Sequence, residues 1–152
     1  MGIGRYAGWK WGLLICVMWL VGCKQPKPEA IAIQRGEAFL RELQRADGAI
    51  CDTLNPLFDV WETVEASSAL ALGSKNPTDS VFQSALLFLQ QAENPAGLIC
   101  HNLKCRNATC LETTAEYFLL LGETNGPEAI QGRLDTLVAL QKPEGYWEVG
   151  NP

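Results

Sequence analysis

Apolar residues recur at helical spacing in separate stretches of the chain. Ile33, Phe39, Leu40 and Leu43 form one stripe ahead of Gly48. Val64, Ala69, Leu70 and Leu72 form a second, and Phe118, Leu119, Leu120 and Leu121 lie in a third. Asp59 with Glu62 three residues on has the form of a capping box, and Thr109 with Glu112 repeats it. Gly73 and Gly122 suit the position just past a helix end. Asn76-Pro77 and Gly126-Pro127 place proline where a following helix would begin. These signals predict helices near residues 30–45, 60–72, 78–92, 110–121 and 127–141. No alternating segment competes as a strand, so the expected class is all-α.

The stripes belong to a repeat. Leu43-Gln44, Leu89-Gln90 and Leu140-Gln141 each precede a turn glycine: Gly48, Gly97 and Gly145. The three Leu-Gln pairs are spaced 46 to 51 residues apart, a period that fits one helical hairpin per repeat. Gly48-Ala49-Ile50-Cys51 with Leu54 matches Gly97-Leu98-Ile99-Cys100 with Leu103. Both copies then reach an acid and a threonine, Glu62-Thr63 and Glu112-Thr113, and both reach Leu-Gly, at Leu72-Gly73 and Leu121-Gly122. About two and a half hairpins are expected.

The N-terminus has a different character. Arg5 and Lys10 precede an uncharged apolar run over residues 11–21, short for a membrane span. The run ends on Leu20-Val21-Gly22-Cys23, which resembles a bacterial lipobox; the blander reading is an anchor helix that contains Cys16 and Cys23. The resemblance implies a signal peptide at 1–22, an acylated Cys23 and a polar tether over 23–29, with the repeat domain at 30–152. Several acyl chains would hold the protein stably to a membrane surface. Lys24 and Gln25 follow the Cys without an aspartate, which implies the outer membrane, periplasmic side. With Arg5 and Lys10 removed, ten bases face seventeen acids, a formal charge of −7. That charge argues against nucleic acid as a partner.

Arg35-Gly36, Phe39-Leu40, Gln44, Gly48 and Ile50 resemble the QW repeat of squalene-hopene cyclases and related terpenoid-cyclase and prenyltransferase-like proteins, with Ile50 where that motif has tryptophan. Gln141, Gly145 and Trp147 keep the tryptophan. The resemblance implies a partial α/α toroid. In it Gln44, Gln90 and Gln141, with Trp147, would tie neighbouring hairpins together, because a buried amide satisfies helix-end groups while its flat face covers a ring. It also implies about six hairpins in a closed barrel, so the open face of a partial array needs an explanation. A fragment or truncated gene, pairing with itself or with another protein, and a partial array stable alone all fit.

The same resemblance supplies tests for chemistry. Class II terpenoid cyclases use an Asp-x-Asp-Asp-Thr acid, held protonated in an apolar cavity. The nearest segment is Asp59-Val60-Trp61-Glu62-Thr63, with Trp61 in the place of the acid. Capping accounts for Asp59 and Glu62 without catalysis. No Asp-rich run is present to hold Mg²⁺ and a diphosphate. Cys110-Leu111-Glu112-Thr113 resembles the thioester segment of bacterial α2-macroglobulins, but Thr113 stands where the acyl-donating glutamine is needed.

Four cysteines remain in the mature region: Cys51, Cys100, Cys105 and Cys110. An even number in an exported protein suggests disulfides. Sequence leaves the pairing open; Cys51 with Cys100 across adjacent hairpins, and Cys105 with Cys110 in a small loop, is one hypothesis. Buried free thiols are a second reading. A zinc site of His101 with Cys100, Cys105 and Cys110 is a third, at a spacing that matches no common zinc pattern. His101, the one histidine, is the single candidate for acid–base work near neutral pH, and equally a plain loop residue.

The function expected from these readings is a membrane-anchored, non-catalytic binding or structural module without a cofactor. A protein partner, an apolar ligand or a further copy of the chain are its candidate partners, and Trp61, Tyr117 and Phe118 are candidates for lining a cavity, although a place in an ordinary core accounts for them without a function. The alternative is a truncated terpenoid-cyclase-like enzyme acting on an isoprenoid.

Overall fold

A computed structural model describes residues 27–52, 54, 56–74, 78–105 and 109–147. Cys23, the apolar run and the tether before Lys27 therefore lie outside the described residues, as does Asn76-Pro77. The chain divides into two units, Met1–Ile31 and Ala32–Pro152. Of the first, only residues 27–31 are described, and they open the first helix. The second unit holds the repeats.

The described residues are all-α. Five helices run in order: α1 (Pro28–Glu42), α2 (Asp59–Ser74), α3 (Ser80–Ala92), α4 (Leu111–Asn125) and α5 (Gln131–Ala139). Short 3-10 turns precede α2, α4 and α5. Among the described residues the β pairing is one isolated bridge, between Gln44 and Ile50. No described helix is long and apolar enough to cross a membrane.

The core lies where α2 meets α3 and α4. Val60, Val64 and Leu70 of α2 pack there with Phe82, Phe88 and Leu89 of α3 and Tyr117, Phe118 and Leu121 of α4. α1 and α5 bury no residue fully. Leu72 and Leu119, expected on apolar stripes, point outward because their neighbours already occupy the buried arc of the helix.

The helix ends are satisfied by residues other than those the sequence suggests. The carboxylate of Asp79 caps α3, accepting from the backbone N–H groups of Val81 and Phe82. Neither expected capping box forms. The first N–H groups of α2, at Val60 and Trp61, donate to the carbonyl of His101, so a distant loop does the capping. Asp59 is thereby released to accept from the N–H of Leu103 at 3.3 Å, and Glu62 accepts from Asp52 N–H at 2.8 Å. At α4 the cap position is Cys110, which makes no side-chain cap bond, while the Thr109 hydroxyl accepts from Asn94. Gly73 and Gly122 lie inside helices, where the tips of neighbouring side chains come close. A Cβ at Gly122 would come within 3.1 Å of Ile130, and one at Gly73 would meet Glu37 of α1. α4 ends instead at Gly126, with φ +89°.

Candidate functional site

The loop at the end of each odd-numbered helix is built the same way three times. In the first, Arg45 N–H donates to Ala49 C=O and Gly48 N–H to Arg45 C=O. Asn94, Leu98 and Gly97 repeat both bonds, and so do Lys142, Tyr146 and Gly145. The glycine has positive φ in every copy: +97°, +75° and +89°. At Gly48 space forbids a side chain too, because a Cβ would lie 2.3 Å from the Ser84 carbonyl oxygen. Behind the first two loops a buried threonine closes the turn. Thr63 Oγ1 accepts from Ile50 N–H at 3.0 Å, and Thr114 Oγ1 accepts from Ile99 N–H at 3.1 Å. Thr114, not Thr113, is the counterpart of Thr63, which shifts the sequence pairing by one residue. Thr113 Oγ1 sits against Cys110 Sγ.

This frame assigns the glutamines. Gln44 stands four residues before its glycine and binds across hairpins: its amide donates to Val81 C=O of α3 at 2.7 Å and to its own Gly48 C=O. Gln141 donates to Gly145 C=O at 2.8 Å, and Trp147 Nε1 donates to Leu137 C=O. Gln90 does not hold the equivalent place; it is exposed on the last turns of α3. Glu93 stands four before Gly97, and its Oε1 takes both the Tyr117 hydroxyl at 2.6 Å and the Arg133 guanidinium of α5. The tie to the next helix is an amide in the first repeat and a carboxylate in the second. Burial and the Glu93 carboxylate push the Tyr117 hydroxyl far above its ordinary pKa.

Of the candidates for cavity lining, Tyr117 and Phe118 are core residues, the plainer of their two readings. Trp61, 37% exposed, does line one. A groove of about 860 Å³ opens between α1 and α2, floored by Phe39, Leu40, Leu43, Trp61 and Ala69. Asp52, Glu62 and Glu65 stand on it, and its lining holds no base. Cys51 also faces it; burial pushes this thiol up, against the Arg45 guanidinium 3.6 Å away. Deeper between α2 and α4, burial and then the neighbouring carboxylates Glu65 and Glu112 push the Glu116 carboxyl up.

The cysteines pair differently from the hypothesis. Cys100 is bonded to Cys105, while Cys51 and Cys110 are buried free thiols. Cys51 and Cys100 hold equivalent repeat positions, but the Cys100 sulfur is taken by Cys105, five residues on in its own loop. The Cys100–Cys105 bond also removes two ligands from the zinc reading. His101 is exposed, edge-on to Phe58 at 6.1 Å, and contributes its carbonyl to α2. Asp59 faces Arg45 at 3.7 Å and the Leu103 amide, away from the groove lining. No protein family, curated protein or solved structure matches the chain.

Proposed function

We propose that this chain is a lipid-anchored envelope protein, held by Cys23 at the periplasmic side of the outer membrane, whose helical repeats form a non-catalytic binding module. The repeats are read as part of an α/α toroid of the terpenoid-cyclase and prenyltransferase-like kind. The observation that carries the binding role is the groove between α1 and α2, whose apolar floor leaves Phe39 59% exposed. Open apolar concavities of this size are where ligands and partners bind. Support for the anchor comes from the basic start, the apolar run and the Leu20-Val21-Gly22-Cys23 box.

Two measurements test the reading. Nile red, a neutral apolar dye, should brighten on the folded protein, and Phe39→Asp should abolish most of that signal while leaving the circular dichroism unchanged. Dye binding indifferent to this substitution would remove the groove from the proposal. Palmitate-analogue labelling in a bacterial host should mark the chain and disappear in Cys23→Ala; label persisting in that variant would end the lipoprotein reading.

A further inference from the structure

The second repeat shows what shape belongs in the groove of the first. Phe88 and Leu89 hold the same places before Gly97 that Phe39 and Leu40 hold before Gly48. Phe88 and Leu89 are fully buried in the core where α2 packs across α3 and α4, and the Gly48 turn of the first repeat also closes on Phe88. A helix and the turn before it cover the position in one repeat; in the other, nothing among the described residues does. The groove of the first repeat is therefore shaped for a helix lying as α2 lies on its neighbours.

Charge then separates the occupants. The groove carries Asp52, Glu62 and Glu65 and no base. A second copy seating α2 or α4 there would bring acids only, Asp59, Glu62 and Glu65 on the first and Glu112, Glu116 and Glu123 on the second. Acid would meet acid at short range, which opposes self-docking through either helix. A helix with an apolar stripe and lysines or arginines beside it meets no such opposition. Its apolar face would cover Phe39, Leu43, Trp61 and Ala69, and its cations would reach the three carboxylates.

We infer that the groove between α1 and α2 is a docking site for a basic amphipathic helix of another protein. The inference rests on the binding-module reading and narrows it to one class of partner.

The test uses the full folded chain and fluorescence anisotropy of labelled synthetic helices. A leucine–lysine amphipathic peptide should bind, and the same pattern with glutamate for lysine should not. The double substitution Glu62→Gln and Glu65→Gln should weaken the lysine peptide about tenfold, as should Phe39→Asp. Circular dichroism of each variant checks that the fold is kept. Lysine-peptide binding insensitive to both sets of changes would mean general attraction to an acidic chain and would overturn the inference. Equal binding of the glutamate peptide would overturn the basic partner. Self-association on sedimentation that Phe39→Asp abolishes would assign the groove to a second copy. If neither peptide binds while Nile red still does, the helix partner falls and the binding module stands; if dye and peptides all fail, both fall.

Discussion

Phe39 and Phe88 occupy matching places in two copies of one repeat, yet the first is 59% exposed and the second 1%. The turns that follow them share the same two backbone bonds, the same positive-φ glycine and the same buried threonine. Local chain geometry is thus fixed by each repeat's own residues. Burial is not; it comes from the neighbour. The second copy has α2 lying against it, and the first presents a groove. Stacked helical units draw much of their stability from such interfaces, so the sealed copy contributes more to the fold than the open one.

Truncating both rings puts this contrast to its hardest trial. Phe88→Ala should cost about 3–5 kcal/mol, the loss of a large buried side chain together with the cavity left behind. Phe39→Ala should change stability by no more than about 0.5 kcal/mol. Urea unfolding followed by circular dichroism measures both. Equal costs would mean that the first ring is covered in solution and that the groove is not open to a partner.

Much of the frame was legible in the residues. Gly48, Gly97 and Gly145 are turn glycines as expected, because a positive φ leaves glycine as the natural choice. The all-α class followed from apolar spacing. Matching the Leu-Gln pairs misplaced one tie, because the distance to the glycine governs the loop and the preceding dipeptide does not. Counting back four from Gly97 finds Glu93. The disulfide was hidden for a different reason: repeat equivalence carries no proximity, and Cys100 reaches Cys105 within its own loop, at a Cα separation of 6.0 Å. The cap of α2 does not show in the local pattern, because His101 comes from far along the chain to supply what Asp59 and Glu62 would supply in a capping box. The groove was half visible. Trp61 lies on it, but burial of Tyr117 and Phe118 depends on packing between repeats, which one repeat's pattern does not reveal.

Glu93 and Gln90 differ in the same way on a smaller scale. Glu93 satisfies a buried tyrosine hydroxyl and an arginine from the next helix, so Glu93→Ala strands both partners. The expected cost is about 1–3 kcal/mol, the range for leaving buried hydrogen-bonding groups unmet. Gln90→Ala, at an exposed helical site, should stay within about 0.5 kcal/mol. Thermal melts of the two variants side by side would read the difference. If Gln90 proved the costlier position, Glu93 would not be the counterpart of Gln44 and the register between the repeats would be wrong.

The smallest effect concerns two carboxyl groups that respond to acid in opposite senses. At the junction of α1 and α3, the Arg41 guanidinium lowers the pKa of Asp79, and the backbone N–H groups of Phe82 and Val81 lower it further. A folded pKa below the unfolded one gives stability that is present above the unfolded value, about 3.9, and is lost as pH falls through the folded value. Glu116 is raised by burial, so its contribution has the other sign: present below the unfolded value, about 4.3, and lost as pH rises through the folded one. Asparagine caps a helix as well as aspartate does, so Asp79→Asn isolates the ion pair, worth about 1 kcal/mol or less. Its deficit against the parent chain should be present at neutral pH and vanish in strong acid. Glu116→Gln should do the reverse, gaining on the parent as pH rises above the ordinary glutamate range. Chemical denaturation across pH 2–8 would follow both differences. A pair of curves with the same slope would show that the two carboxyl groups sit in alike surroundings, and the contrast between an acid paired with a guanidinium and one crowded by other carboxylates would not hold.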